Sequence, residues 1–503
     1  MSDVAVNGAT PNIHFDAALQ DFLRRCPAYQ TTSHIDALRA EDYARLDRLG
    51  HVYLDYTGGG LYAASQVSAH QEMLLNNVFG NPHSQNPPSL AMTHLVEETR
   101  DAVLRFCNAS PAEYTVIFTP NASGALKLVG ESYPFEADGR YALLYDNHNS
   151  VNGIREFARA RGVIVDYVSV SLPELRAPTA WVLAALEQAD RRRHNLFAFP
   201  AQSNFSGVQH PLDWIDAAHA RGWDVLLDCA AFAPTNRLDL SQIHPDFVPL
   251  SFYKIFGYPT GVGALIARYD ALAKLHRPWF AGGTITITSV QGDGWHALIP
   301  GAVGFEDGTV NYLALPAVEI GLRHIERIGI DAIHTRVMAL TSWLLETMTA
   351  LHHSNGARLV HIYGPENADA RGGTIAFTLV DPTGEPFDFR RVEAAAGARK
   401  ISLRTGCFCN PGDGEIAHHL SREEMACYFT GKAPSSFYEF YDLFHTATGK
   451  TPSTIRVSLG LASNFADVHT FVQFLAEFVD RRAGELPWAP EPTLAAIRQR
   501  DAA

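Results

Sequence analysis

Between Tyr53 and about Leu315 the chain alternates short apolar runs with segments of helical periodicity. The runs are Tyr114-Phe118, Tyr141-Tyr145, Val163-Val170, Asn195-Phe199, Val225-Leu227 and Gly263-Ala267. This alternation predicts an α/β unit, a mostly parallel sheet covered by helices. Ligands in such sheets sit at the carboxyl ends of the strands. The polar residues that follow the runs are therefore the candidates for chemistry: Asn121 to Ser123, His148, Asn204, Asp228 and Lys254.

A long helical stretch over 315–350 is expected to bridge to a smaller α+β domain. There Gly373-Asp381, Ile401-Leu403 and Thr454-Leu459 read as strands. Phe465-Arg482 reads as an amphipathic helix, with Val468, Phe471, Val472, Leu475, Phe478 and Val479 at helical spacing and Asn464 as N-cap. The expected division is 1–45 packing on the small domain, 46–320 a large domain, 321–485 the small domain and 486–503 a tail. Residues 421–452 hold Phe429, Phe437, Tyr438, Phe440, Tyr441 and Phe444, an aromatic insertion that reads equally as core or as a lid.

Composition narrows the function. At 503 residues, 47% of them hydrophobic, the chain can bury a large core. A net charge of −14 argues against nucleic-acid binding. No apolar run is long enough to span a membrane, and the N-terminus lacks the basic start and apolar core of a secretory signal, so the expected location is cytoplasmic. Six scattered cysteines exclude a disulfide framework. Cys26, Cys107, Cys229 and Cys427 read as small buried hydrophobes. Cys407 and Cys409 with His418 and His419 do not match structural-zinc spacing, and no metal is expected.

One residue stands out against this background. Only six lysines accompany thirty-four arginines, and one of them, Lys254, lies in Ser251-Phe252-Tyr253-Lys254-Ile255-Phe256-Gly257, running into a Gly-rich apolar segment. A lysine partly withdrawn from water gives up some of its charge and becomes a nucleophile for an aldehyde.

Four stretches carry a resemblance, in family order: Ser251 to Leu265, Pro200-Ala201-Gln202-Ser203-Asn204-Phe205-Ser206-Gly207, Phe79-Gly80-Asn81-Pro82-His83-Ser84-Gln85-Asn86, and Arg404-Thr405-Gly406-Cys407-Phe408-Cys409-Asn410-Pro411-Gly412. They resemble the class V aminotransferase-fold enzymes, specifically the cysteine-desulfurase-type domain of molybdenum cofactor sulfurases, from about Tyr53 to about Asp480. Ala231 and Tyr253, where general cysteine desulfurases usually carry glutamine and histidine, point to the same subgroup. Two stretches depart from the pattern. Asp55-Tyr56-Thr57-Gly58-Gly59 stands where the family usually has Asp-His-Ala-Gly, and Asp413-Gly414 where it commonly has Ala-Cys. The second domain that receives the molybdenum cofactor in those sulfurases is expected to be missing here.

The resemblance implies a pyridoxal 5'-phosphate enzyme of fold type I, with a site that needs an amine, an anion under the pyridine nitrogen, a phosphate cup and a stacking group. Lys254 is the amine. Asp228, closing an apolar run, is the anion, or else a helix-capping aspartate. Ala122, Ser123 and Ser251 form the phosphate cup at a helix start, although such turns are as often plain caps. By the resemblance His148 stacks on the cofactor ring and relays protons, Asn204 bonds the ring oxygen and contacts substrate, and Arg456 clamps the substrate carboxylate, with Arg404 a second candidate. Thr309, after Gly308, resembles a loop that reaches the partner's phosphate in a homodimer.

Cys409 aligns with the nucleophile that carries sulfur as a persulfide, a role for a thiolate near cationic groups. Cys407 reads as a structural thiol, with a back-up acceptor or a regulatory disulfide as alternatives. The expected reaction converts L-cysteine to L-alanine and passes sulfur to an acceptor protein or cofactor. The alternatives are another class V enzyme (C–S lyase, aminotransferase or epimerase) and a non-catalytic sulfur-transfer partner.

Overall fold

The computed structural model describes residues 12–292, 294–426, 428–429, 434 and 436–485. Cys427, the side chain of Phe437 and the expected tail 486–503 lie outside the described residues.

A seven-stranded sheet forms the centre of the molecule. Its strands are β1 (Tyr114–Thr119), β2 (Arg140–Leu144), β3 (Ile164–Val168), β4 (Leu196–Pro200), β5 (Asp224–Asp228), β6 (Phe247–Ser251) and β7 (Gly263–Arg268), in spatial order β1-β7-β6-β5-β4-β2-β3. Six of the strands run one way. β7 alone is antiparallel to its neighbours β1 and β6, because the link from β6 is too short for a crossover. The expected strands are found within a residue or two, apart from the ragged ends of Val163-Val170. The strand that presents Lys254, β6, had no mark in the sequence pattern, since Phe247-Val248-Pro249-Leu250-Ser251 is buried throughout and shows no alternation.

The stretch over 315–350 is two helices, Leu315–Ile328 and Ile330–Ala350, broken where Gly329 turns to φ +88°. The second packs with Phe465–Ala476 behind a four-stranded antiparallel sheet: β8 (Val360–Tyr363), β9 (Thr374–Leu379), β10 (Arg404–Gly406) and β11 (Thr454–Ser458), in order β8-β9-β11-β10. Ile401–Ser402 lies outside that sheet, pairing in parallel with Val52–Tyr53. Asn464 caps the Phe465 helix through a reciprocal box with Asp467. That helix stops at Ala476, short of the expected Arg482, and Phe478 buries itself from a turn.

The first helix, Asn12–Arg25, places Phe22 against Phe465 and Trp343, with ring centroids 4.8 and 6.3 Å away. In the aromatic insertion, helix Phe437–Thr448 buries Tyr441 and Phe444, and Tyr441 lies 5.0 Å from the Phe389 ring, whereas Phe429 is exposed. Cys107 and Cys229 are buried as expected. Cys26 is only half-buried, its thiol 3.8 Å from the Ala339 carbonyl.

Candidate active site

The ends of β1, β2, β4, β5 and β6 converge on a cavity of about 150 Å³ lined by Ala122, Ser123, His148, Asn204, Asp228 and Lys254, among others. Eight expected residues line it, Asn121 and Ser251 included. Cys409, Arg456 and Arg404 stand beside it, and Thr309 does not reach it.

Lys254 sits on the one-turn helix Phe252–Phe256 directly after β6. Phe252 and Phe256 are fully buried and anchor that turn, and Gly257 ends it at φ +81°. A Cβ on Gly257 would stand 2.3 Å from the Tyr62 backbone nitrogen, so only glycine fits. The surface that Lys254 keeps opens into the cavity. Burial pulls its amine below the usual lysine range, and the Arg456 and Arg404 charges reinforce this against the opposing pull of Asp228.

Asp228 is buried at the end of β5. One of its oxygens accepts the Ala230 N–H at 3.0 Å, and Oδ2 makes no hydrogen bond among the described residues. The His148 ring accepts the Ser150 N–H on Nδ1 at 3.1 Å, which places the proton of the neutral ring on Nε2. Burial holds His148 below its ordinary pKa, so neutral is its resting form. The helix starting at Ala122 is capped by Asn121, which takes the Gly124 N–H at 3.0 Å. Ser251 Oγ accepts the Ala122 N–H at 2.9 Å and keeps its own hydrogen to donate, and the Ser123 and Ser150 hydroxyls meet at 2.6 Å. Hydroxyls at a helix N-terminus are a fitting cup for a phosphate.

Asn204 is more committed than the resemblance suggests. Its Nδ2 donates to the Phe408 carbonyl at 2.7 Å and its Oδ1 accepts from Asn410 at 3.1 Å, so it ties the cysteine loop to the cavity wall. Arg456 is buried on β11, donating to the Asn204 carbonyl at 2.8 Å and to Asp55 at 3.1 Å, and its guanidinium lies 4.6 Å from the Phe408 ring centroid. Burial lowers its pKa to about 10. Its Nε is buried and has no hydrogen-bond partner. Arg404 holds Asp55 through Nε and Nη2 at 3.0 and 2.7 Å and is half-exposed. One carboxylate thus joins two guanidiniums.

Cys409 is exposed, and its carbonyl takes the Asn149 N–H at 2.7 Å. Cys407 is half-buried, and burial pushes its thiol up, which disfavours the thiolate. Thr309 is exposed and takes a 3.3 Å bond from Asn81.

Three residues had no place among the sequence candidates. Asp55 stood in view only as part of a departing motif. Gln202 lines the cavity and donates to the Ala231 carbonyl at 3.1 Å. It precedes Asn204 by two residues in a non-helical segment, and that spacing was the available signal. Tyr253 also lines the cavity, within electrostatic reach of Arg404 and Cys409. Among the described residues no group of three or more His, Cys, Asp or Glu is placed to hold a metal, and no helix is long and apolar enough to cross a membrane.

The family model for aminotransferase class-V matches residues 52–471. The chain belongs to that family. The class-V assignment agrees with the fold: an apo cysteine desulfurase from Thermococcus onnurineus NA1 superposes with a TM-score of 0.72 at 24% identity, over 88% of this chain and 98% of that one. A cysteine desulfurase from Escherichia coli does so with a TM-score of 0.69 at 19% identity, over 90% of this chain and 99% of that one. Among curated proteins, the molybdenum cofactor sulfurase of Solanum lycopersicum is 34% identical over 92% of this chain. That of Homo sapiens is 34% identical over 90%. The chain spans 60% and 52% of those two relatives' own lengths. Class-V enzymes use pyridoxal 5'-phosphate, and the residues present fit it: a lysine of lowered basicity, a buried carboxylate with an open oxygen, a neutral imidazole and a hydroxyl-lined helix start.

Proposed function

We propose that this class-V enzyme is a cysteine desulfurase, converting L-cysteine to L-alanine and carrying the sulfur on Cys409 for transfer to an acceptor. The observation that carries the reading is an exposed Cys409 on a loop that Asn204 ties to the cavity wall, its neighbour Phe408 lying under the Arg456 guanidinium at 4.6 Å. Arg456, held beside the cavity by Asp55 and the Asn204 carbonyl, supplies the charge that orients the substrate carboxylate. Lys254 Nζ would hold the cofactor through its aldehyde, and its lowered basicity suits it to take the substrate α-proton. Pyridoxal phosphate, when bound, supplies the electron sink that makes that proton acidic. Asp228 would hold the pyridine nitrogen protonated, and the neutral His148 would face the cofactor and relay protons through Nε2–H. The Cys409 thiolate attacks the substrate sulfur. The S–S bond forms as the C–S bond breaks, its electron pair passes to the substrate β-carbon, which takes a proton, and Lys254 returns the α-proton to complete alanine. The acceptor of the persulfide sulfur is a protein or cofactor, and the working form is a cytoplasmic homodimer in which Thr309 serves the partner's phosphate.

The test is Cys409→Ala. It should keep the spectral changes of the early steps with L-cysteine but accumulate no protein persulfide and release no alanine at the wild-type rate, while Cys407→Ala keeps most activity. Wild-type turnover by Cys409→Ala would refute the desulfurase reading in favour of a lyase or aminotransferase.

A further inference from the structure

The loop bearing Cys409 holds an unusual backbone. Phe408 and Cys409 both take left-handed φ, +55° and +57°, a conformation that two consecutive non-glycine residues keep only when their surroundings enforce it. The enforcing contacts are visible. Asn149 N–H donates to the Cys409 carbonyl at 2.7 Å, Asn204 Nδ2 to the Phe408 carbonyl at 2.7 Å, and Asn410 Nδ2 to the Asp146 carbonyl at 2.9 Å.

Asn410 is in turn set by Asp413. Its Oδ1 caps the helix Pro411–Ala417 by accepting the Asp413 N–H at 3.2 Å. Asp413 Oδ2 lies 3.3 Å from Asn410 Nδ2 and accepts the Ser203 hydroxyl at 2.7 Å. The helix start cannot shift: a Cβ on Gly412 would stand 2.1 Å from the Tyr145 carbonyl oxygen.

Asp413 and Asp146 are both fully buried. Asp146 Oδ2 meets His210 Nε2 at 2.7 Å, and His210 stacks on Trp214 with centroids 5.4 Å apart. The other oxygen of each carboxyl, Asp413 Oδ1 and Asp146 Oδ1, is buried and has no hydrogen-bond partner among the described residues. Around Asp413 stand Asp146 with His210 behind it, Ser203 and Asn204 after β4, and Asn410 on its own loop. None of these supplies a fixed positive charge. Two ionised carboxylates with open oxygens in such a place are strongly disfavoured.

We propose that Asp413 is a positioning residue for Cys409, its carboxyl group holding Ser203 and Asn410 and so locking the thiol-bearing loop onto the strand ends. Burial, with the Asp146 charge adding to it, pushes the Asp413 carboxyl well above the usual carboxylate range and favours its protonated form. Raising the pH until Asp413 loses its proton leaves an uncompensated charge buried beneath the loop and loosens it. The functional weight of this lock rests on the reading of Cys409 as the sulfur carrier, but the lock itself is measurable without substrate.

The experiment is amide hydrogen exchange on the cofactor-loaded protein, corrected for intrinsic rates, in peptides covering Asn149 and residues 404–412. Asp413→Ala should exchange about tenfold faster there, the loss expected when a buried hydrogen-bonded group is removed. Asp413→Asn, which keeps an acceptor for Ser203 and carries no charge at any pH, should stay within about twofold of wild type and lack the alkaline loosening that wild type shows. With L-cysteine, Asp413→Ala should slow persulfide formation with little change in KM. If Asp413→Ala does not fold, the pH comparison of Asp413→Asn with wild type decides alone. Equal exchange in wild type and Asp413→Ala, or the same alkaline loosening in Asp413→Asn, would overturn the lock and leave the desulfurase reading intact. A working lock with no persulfide on Cys409 would do the reverse.

Discussion

Replacing Asp55 by asparagine tests the arginine clamp most directly. Asp55 faces two guanidiniums of very different environment: the Arg456 side chain is 3% exposed, that of Arg404 49%, and Asp55 itself 14%. The Arg404 contact is therefore a solvent-screened pair, contributing about 0–1 kcal/mol. The Arg456 contact is buried, and breaking such a pair costs about 3–5 kcal/mol because the remaining charge is left uncompensated. Asparagine keeps one acceptor oxygen and Asp55 retains some solvent, so the expected loss is about 2–3 kcal/mol. Asp55 is also what opposes burial and Arg404 in setting the Arg456 pKa near 10. Without it that pKa falls further, and the alkaline limb of kcat/KM should move to lower pH as the carboxylate clamp loses its charge. Urea unfolding and pH-resolved kinetics measure both effects, with Arg404→Ala as the exposed control. Stability of Asp55→Asn within about 0.5 kcal/mol of wild type, or an equal loss in Arg404→Ala, would refute the reasoning.

Lys254→Ala should lose the visible absorbance of lysine-bound cofactor; a wild-type protein that takes up no pyridoxal phosphate would end the cofactor assignment. Asp228→Ala should raise the barrier by about 2–4 kcal/mol, mainly in kcat, as removal of a preorganised electrostatic partner does; near-normal turnover would mean that another group holds the ring nitrogen. His418 has its pKa lowered to about 4 by burial, so the unfolded chain binds its proton first. Its contribution is complete above pH 6.5 and is lost as the pH falls toward 4, by at most about 3 kcal/mol, and His418→Gln should flatten that acid limb in unfolding experiments. Thr309→Ala should weaken cofactor binding by about 1 kcal/mol, and dilution should release cofactor and activity together; light scattering that shows a fully active monomer would contradict the dimer.

What the sequence determined by itself was what is local. Apolar runs named six of the seven central strands, and the polar residues after them named most of the cavity wall, because a strand end delivers its next residues to the same edge of the sheet whatever the rest of the chain does. Lys254 was legible from its scarcity and its turn, and Asn464 from cap chemistry. The tertiary structure decided what distance in sequence hides. Asp55 meets Arg456 across 401 positions, and Ser203 meets Asp413 across 210. No periodicity records such pairs, since each forms only when the small sheet closes over the strand ends. Burial decided the chemistry as well. Cys407 and Cys409 are alike in residue type and two positions apart, and only the folded loop makes one of them half-buried and the other open to attack.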